Sequence, residues 1–323
     1  MRFSLGGGGS DLPSYASQHG GFLVAAAIDK YIYIAANPRF YDSIRLSYSH
    51  TEIVDHVDQI QHRIFREALQ LLGIASGIEL LSVADVPANC GLGSSSSFCV
   101  ALLNALHAYK REYVPLEQLA KEACHIEIER LREPIGKQDQ YMAAFGRITA
   151  LTFERDGTVH VEPLHMPEQA LADLESNLLI FHTGIERRAS EVLSEQSQNL
   201  AGKSSPQVEA MHRIKQIGYE VKRLLERGDI DAFGELLDAH WQHKRKLAQN
   251  VSSSALDEHY EAARRAGALG GKIMGAGGGG FFMFYCREHK GRLIDEMARR
   301  GLQLMRFRFD FEGAKIVANV RRP

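Results

Sequence analysis

Cysteine is scarce in this sequence. The 323-residue chain has four cysteines, and no two of them stand in a C-x-x-C spacing: Cys90, Cys99, Cys124 and Cys286. This scarcity argues against a disulfide framework and against a thiolate metal cluster. It fits the reducing environment of the cytoplasm, where we expect the protein to work.

A strong charge of one sign and long apolar runs are also lacking. The formal net charge is −2, which gives no electrostatic reason to expect nucleic acid or an anionic membrane as a partner. No run of 18 apolar residues occurs, so we expect no transmembrane helix. The start of the chain, MRFSLGGGGSDLP, has no apolar core followed by a cleavage site, so we expect no secretory leader.

The remaining composition is that of a globular protein, with 45% hydrophobic and 24% charged residues. The length favours two domains, and the patterns predict an α+β fold in two halves that divide near residues 165–175. Strands are predicted at 22–36 (one or two), 43–49, 77–83, 147–153, 158–164, 178–184, 280–286, 304–310 and 315–320. Helices are predicted at 55–72, 116–132, 187–200, 207–227, 230–249 and 255–267, and residues 166–177 read as a connector.

A glycine- and serine-rich loop, CGLGSSSS at Cys90–Ser97, runs directly into an apolar helix. Cys99, Leu102, Leu103 and Leu106 recur at helical spacing in that helix. Free backbone N–H groups at the positive end of a helix dipole form a site for an anion, usually phosphate. A serine N-cap after a flexible turn is the alternative, but one serine would suffice for it. We therefore favour phosphate binding.

Two other glycine-rich loops occur, LGGGGSDLP at Leu5–Pro13 and GGKIMGAGGGGFF at Gly270–Phe282. None of the three loops matches G-x-x-x-x-G-K-[ST], and none fits G-x-G-x-x-G in its strand–helix setting. Together they indicate several backbone segments that approach one ligand closely. The common mononucleotide and dinucleotide folds are therefore disfavoured.

The segment EPIGKQDQYMAAFG at Glu133–Gly146 places Asp139 between two glutamines. Asp139 reads equally well as a helix N-cap or as a carboxylate that accepts a proton or orients a hydroxyl. Lys137, two residues earlier, could hold that carboxylate ionised and also face a transferring phosphate. The residues alone leave both readings open.

Taken in order, Arg2 with GGGSDLP, PANCGLGSSSS, GKQDQY and GAGGGGFF resemble the galactokinase, homoserine kinase, mevalonate kinase and phosphomevalonate kinase (GHMP) superfamily, and most of all its heptose kinases. The resemblance implies a two-domain α+β fold. An N-terminal α/β domain with the ATP loop would span residues 1–168, and a C-terminal, ferredoxin-like α/β domain would span 169–323. It also implies ATP-dependent phosphorylation of a sugar hydroxyl with Mg²⁺, for heptose kinases the anomeric hydroxyl of a heptose 7-phosphate.

The resemblance assigns roles residue by residue. Asp139 would be the base or orienter of the acceptor hydroxyl, with Lys137 and Arg2 beside it. The metal would be held by Ser95 and Glu129. The ATP-binding residues would be Pro87, Gly91, Leu92, Gly93, Ser94, Ser95, Ser96 and Ser97. The substrate-binding residues would be Gly8, Gly9, Ser10, Asp11, Thr183, Arg187, Arg188, Gly277 and Gly278, with Arg187 or Arg188 clamping the phosphate of the substrate.

Two departures from the family pattern matter. The first-motif arginine is residue 2, so we expect most of the first strand to be missing. A helical wheel also puts Glu127, rather than Glu129, on the apolar stripe of its helix, while the motif match favours Glu129.

The alternative functions are a kinase for L-fucose, galactose or an isoprenoid acid, and a nucleotide-binding module without catalysis. The oligomeric state stays open, a homodimer included.

Overall fold

A computed structural model describes residues 1–87, 90–185, 189–202 and 205–320. Its strands, in chain order, are β1 Arg2–Gly6, β2 Gly21–Ala27, β3 Ile32–Pro38, β4 Ile44–Ser47, β5 Thr51–Val54, β6 Ile78–Ala84, β7 Ile148–Phe153, β8 Val159–Pro163, β9 Leu178–His182, β10 Gly270–Ile273, β11 Phe281–Tyr285 and β12 Gln303–Met305.

The α-helices are α1 Pro13–His19, α2 Arg63–Leu71, α3 Ser94–Lys110, α4 Leu116–Cys124, α5 Gln138–Phe145, α6 Glu168–Asn177, α7 Ala189–Leu200, α8 Pro206–Arg227, α9 Ile230–Lys244, α10 Ser254–Ala266 and α11 Lys290–Arg299. A π-helical turn, His125–Arg130, continues α4, and short 3₁₀ turns lie at Val57–Gln59 and Gln249–Val251. No helix in these described ranges is long and apolar enough to cross a membrane.

The strands form three four-stranded sheets. One has the order β1-β2-β7-β8 and is antiparallel, and another has the order β3-β6-β4-β5 with β4 parallel to β6. The third has the antiparallel order β10-β11-β9-β12. With β9 taken as its first strand, that order is the one of ferredoxin-like sheets. The predicted α+β architecture is therefore confirmed, including the ferredoxin-like second half.

The two halves share a hydrophobic core. Phe3 and Val24 of the first half belong to the same buried cluster as Ile180 and Phe233 of the second. Helix α8 packs against β1 and β2, where a Cβ added to Gly218 would stand 3.1 Å from the Cα of Gly7. Contacts therefore cross the predicted boundary between residues 168 and 169, which stays a prediction.

Several predicted elements differ from the observed ones. Residues 166–177 are mostly helix α6 rather than a connector, and the helix predicted at 55–72 is a 3₁₀ turn followed by α2. Residues 315–320 form no strand in the described chain, and Val317 and Val320 lie exposed. The first strand is the five-residue β1, which pairs with β2 from Arg2 onward.

Candidate active site

The second glycine loop ends in the geometry of an anion site. Gly91 and Gly93 have φ angles of +82° and +71°, the left-handed region that glycine tolerates. Gly93 is the N-cap of α3, so the chain passes from the loop directly into a buried 17-residue helix. Ser97 N is the first amide of this helix that bonds back to the loop, to Gly93 O at 2.9 Å. No described group accepts from the earlier amides of this turn, so they stay available to a ligand.

The third glycine loop packs on the second at backbone distance. A Cβ on Gly275 would stand 2.7 Å from the Cα of Gly91, and one on Gly280 would stand 2.5 Å from Cys90 O. Any side chain at these positions would push the two loops apart. The glycines of the third loop therefore allow it to support the loop that enters α3.

Arg2 and Asp139 form an ion pair beside this junction. Arg2, only 4% exposed, donates from Nε to Asp139 Oδ1 at 2.6 Å, and a second guanidinium nitrogen also contacts Oδ1. Arg2 also donates to Gly91 O at 3.1 Å, and its backbone N–H donates to Leu92 O at 3.1 Å. Strand β1 thereby fixes both the carboxylate and the glycine loop.

The other oxygen of this carboxylate faces the start of α3. A Cβ on Gly93 would stand 3.2 Å from Asp139 Oδ2, and no residue of the described chain donates a hydrogen bond to that oxygen. The N-cap interpretation of Asp139 is wrong, because α5 begins at Gln138 and its N-cap is Lys137. A free carboxylate oxygen therefore stands next to a helix N-terminus whose geometry suits an anion.

Glu127 lies under the first turn of α3. It is 1% exposed, and its carboxylate accepts from Ser95 Oγ at 2.7 Å and from Gln140 Nε2 at 2.7 Å. Burial raises the pKa of Glu127, and the hydrogen bonds from Ser95 and Gln140 oppose part of that rise.

The preference for Glu129 over Glu127 is corrected by this geometry. The side chain of Glu129 is 69% exposed and pairs with His125 at 2.7 Å on the outer face of the π-helical turn. It therefore points away from Ser95, while the helical wheel had placed Glu127 on the inner face.

Asp11 lies beside the carboxylate of Asp139. Its two oxygens accept from the backbone N–H of Gln138 at 3.0 Å and from Gln138 Nε2 at 2.8 Å. Burial raises the pKa of Asp11 to about 6, and the neighbouring Asp139 adds to the rise. A Cβ on Gly136 would stand 1.9 Å from Asp11 Oδ2, so the glycine of GKQDQ makes this approach possible.

Comparison with known proteins identifies the family of this chain. Two family models match the chain, GHMP kinases N terminal domain at residues 57–147 and GHMP kinases C terminal at residues 221–303. The D-glycero-alpha-D-manno-heptose 7-phosphate kinase of Campylobacter jejuni is 30% identical over 98% of this chain and 96% of its own length. The chain belongs to the GHMP kinases. It is a phosphotransferase that acts on a sugar hydroxyl, and kinases of this family use ATP.

Other GHMP kinases are similar over most of their length. The galactokinase of Thermococcus kodakarensis is 29% identical over 85% of this chain and 86% of its own. A crystal structure described as a D-glycero-D-manno-heptose 1-phosphate kinase from Bacteroides thetaiotaomicron is 26% identical, with a TM-score of 0.80 and 98% of each chain covered. The two halves described above are thus the shared fold of this family.

Three residues that were expected to contact ligands have side chains that bond to the protein backbone instead. Lys137 donates from Nζ to Gly157 O at 2.7 Å, so it turns toward the β7–β8 hairpin instead of Asp139. Ser10 is fully buried and its hydroxyl bonds the backbone of Gly7 and Phe22. Thr183 bonds Gly280 O and so fixes the third loop. These expected ligand contacts are corrected to structural ones.

The other residues predicted to bind ATP or substrate lie in different parts of the chain. Gly8 and Gly9 are half-buried between Ser4 and Met211, beside the Asp11 turn, and Gly277 and Gly278 lie in the third loop against Val251. Pro87 is exposed ahead of the second loop. Arg187 and Arg188 lie outside the described residues.

Gln138 and Gln140 are site residues that the sequence reasoning missed. Both flank Asp139, and each bonds one of the two other site carboxylates, Asp11 and Glu127. The signal was present in the sequence, because a QDQ triplet at a helix start places three polar side chains around one turn.

Replacing Gly93 with alanine is expected to lower kinase activity by about 100-fold, because the added Cβ would crowd both members of the Arg2–Asp139 pair. Gly73→Ala is the matched control. Gly73 has nearly the same φ, +68°, but no atom within 4 Å of an added Cβ. Both variants should lose about 1–2 kcal/mol of unfolding free energy from backbone strain. Equal activity in the two would contradict this account of Gly93.

Proposed function

We propose that this GHMP kinase transfers the γ-phosphoryl group of ATP to the anomeric hydroxyl of a D-glycero-D-manno-heptose 7-phosphate. The product would be the 1,7-bisphosphate, a precursor for nucleotide-activated heptose and for capsule or lipopolysaccharide synthesis. The similarity to the Campylobacter jejuni heptose 7-phosphate kinase over nearly both full chains supports this substrate. The oxygen of Asp139 that faces Gly93 supports the reaction.

Asp139 would act on the acceptor. Arg2 occupies Oδ1, so Oδ2 is left to accept the hydrogen bond of the sugar hydroxyl. The hydroxyl oxygen forms a bond to the γ-phosphorus, the bond from that phosphorus to the β–γ bridging oxygen breaks, and ADP leaves. The hydroxyl proton passes to Asp139 when the carboxylate serves as base. Asp11, Gly8 and Gly9 would line the sugar.

The phosphates would lie across Gly91–Ser97, where the first-turn amides of α3 offer hydrogen bonds without reorganising. Lying beside Gly91, Arg2 would add positive charge there. Phosphoryl transfer depends mainly on such alignment and charge neutralisation.

Ser95 and Glu127 fit a Mg²⁺ ion. A hydroxyl oxygen and a carboxylate oxygen 2.7 Å apart are hard donors, and Mg²⁺ is commonly held by one or two carboxylates together with substrate phosphates. No group of three His, Cys, Asp or Glu side chains suited to a metal occurs in the described parts of the chain, so the phosphates would complete the shell. The ion would neutralise charge on the transferring phosphate.

A substrate panel tests the proposal. ADP release should be fastest with heptose 7-phosphate and much slower with galactose, L-fucose and mevalonate, and ³¹P NMR of the product should show the new phosphate at C1. Preferred turnover of galactose or fucose would favour the alternative sugar kinases. Nucleotide binding without turnover of any of these compounds would instead favour a non-catalytic module.

The four cysteines are all free and buried, which suits a reducing compartment, and we place the reaction in the cytoplasm with ATP and the sugar phosphate as partners.

A further inference from the structure

Lys244 is a buried ammonium group at the C-terminal end of α9. It is 7% exposed, and Nζ donates to Ile273 O at 2.8 Å and to Gly275 O at 2.6 Å. Ile273 is the last residue of β10, and Gly275 is the first residue of the GAGGGG run in the third glycine loop. No carboxylate within the described residues pairs with this ammonium.

Two other buried basic side chains lie near Lys244, and burial lowers the pKa of both. Lys272, also buried, donates to Leu5 O at 3.2 Å, and His240 is buried one turn earlier on α9. Burial lowers the pKa of Lys244 to about 7, and the Arg2 guanidinium contributes to this shift. A buried amine without a carboxylate is costly, and an apolar side chain would fill the same space at lower cost.

A short path connects Lys244 to the phosphate site. Gly275 lies against Gly91 at backbone distance, and Gly91 O accepts from Arg2, which holds Asp139. Gln196 supports the same loop from α7, where its amide donates to Ala276 O at 2.9 Å. Two side chains thus fix consecutive carbonyls of a loop whose glycines would otherwise leave it free to move.

We infer that Lys244 is a positioning residue. It fixes the third glycine loop, and through Gly91 the second glycine loop, in the geometry that binds nucleotide. The inference rests on the nucleotide site proposed above. The Lys244 amine donates to both carbonyls, and in its protonated form it also adds positive charge beneath the loop that would meet the triphosphate. Loss of the amine should weaken nucleotide binding even where the fold survives.

Lys215 offers a matched control. Its amine also donates to two backbone carbonyls, His19 O at 2.8 Å and Gly20 O at 3.3 Å, but those carbonyls lie at the end of α1 and in no glycine loop of the phosphate site. Lys215→Met therefore removes the same chemistry from a different place.

The test is the Kd of a fluorescent ATP analogue with Mg²⁺, measured on the full chain alongside thermal melting. Lys244→Met should weaken binding by about 10- to 100-fold, Lys244→Gln by less because its amide still donates, and Lys215→Met within about twofold. A folded Lys244→Met that binds like wild type would overturn the inference.

If Lys244→Met does not fold, Lys244→Gln and Gln196→Leu decide the question, and unchanged binding in both would overturn it equally. Absence of binding by the wild-type chain would instead overturn the proposed nucleotide site, so the two failures are distinguishable.

Discussion

Replacing Asp139 with asparagine is expected to lower kcat by about 10²- to 10⁴-fold, the contribution of a positioned general base. The variant keeps the shape of the side chain and an oxygen that Arg2 can contact, but it cannot take the proton of the acceptor hydroxyl. The second glycine loop is held by the bond from Arg2 to Gly91 O and by the third glycine loop, neither of which involves Asp139. Nucleotide affinity should therefore change little. Steady-state kinetics at saturating sugar and ATP measure the effect.

Thermal melting provides the control for this variant. Arg2 is buried and would lose its ionised partner, so some loss of stability is expected alongside the loss of rate. A folded Asp139→Asn enzyme that retains kcat within about tenfold would exclude the base and reduce Asp139 to an orienting role.

Glu127→Gln is expected to weaken Mg²⁺ activation by at least about 10- to 100-fold, the range found when groups around a metal site are removed. The glutamine keeps the hydrogen bond to Ser95 but loses the negative charge that attracts the cation. Because burial raises the pKa of Glu127, protons should compete with Mg²⁺ in the wild type. Its apparent Mg²⁺ affinity should fall as the pH drops through that raised pKa, and this dependence should disappear in Glu127→Gln.

Glu129→Gln is the paired control, two residues along the same turn. Its side chain is exposed and bonds His125, so the Mg²⁺ concentration for half-maximal activity should match that of the wild type. The opposite pattern, a defect in Glu129→Gln alone, would restore the motif-based assignment and contradict the geometry.

The backbone part of the site could be predicted from the sequence. Gly91 and Gly93 ahead of a serine run and an apolar helix predict a turn with positive φ followed by a buried helix start, and the structure shows that junction. The physical reason is local, since glycine tolerance and helix periodicity act within a few residues.

Side-chain direction was harder to predict. Lys137 and Ser10 stand near the site in sequence, but their partners, Gly157 and Phe22, lie on strands or turns that only the tertiary fold brings close. Motif spacing gives the position of a residue and not the direction in which its side chain points.

The burial of Lys244 could have been predicted from the sequence. Phe233, Leu237, Trp241 and Lys244 recur at helical spacing, so the lysine lies on the buried face of α9. A lysine on an apolar stripe is rarely buried without a purpose. What it bonds could not be predicted, because Gly275 is 31 residues further along the chain.

A crystal structure of the chain with Mg²⁺ and a non-hydrolysable ATP analogue tests the central claim most directly. We expect the triphosphate across Gly91–Ser97, the ion between Ser95 and Glu127, and the γ-phosphate on the side of Asp139 Oδ2. A triphosphate bound away from the start of α3, or an ion held by Glu129, would contradict the account.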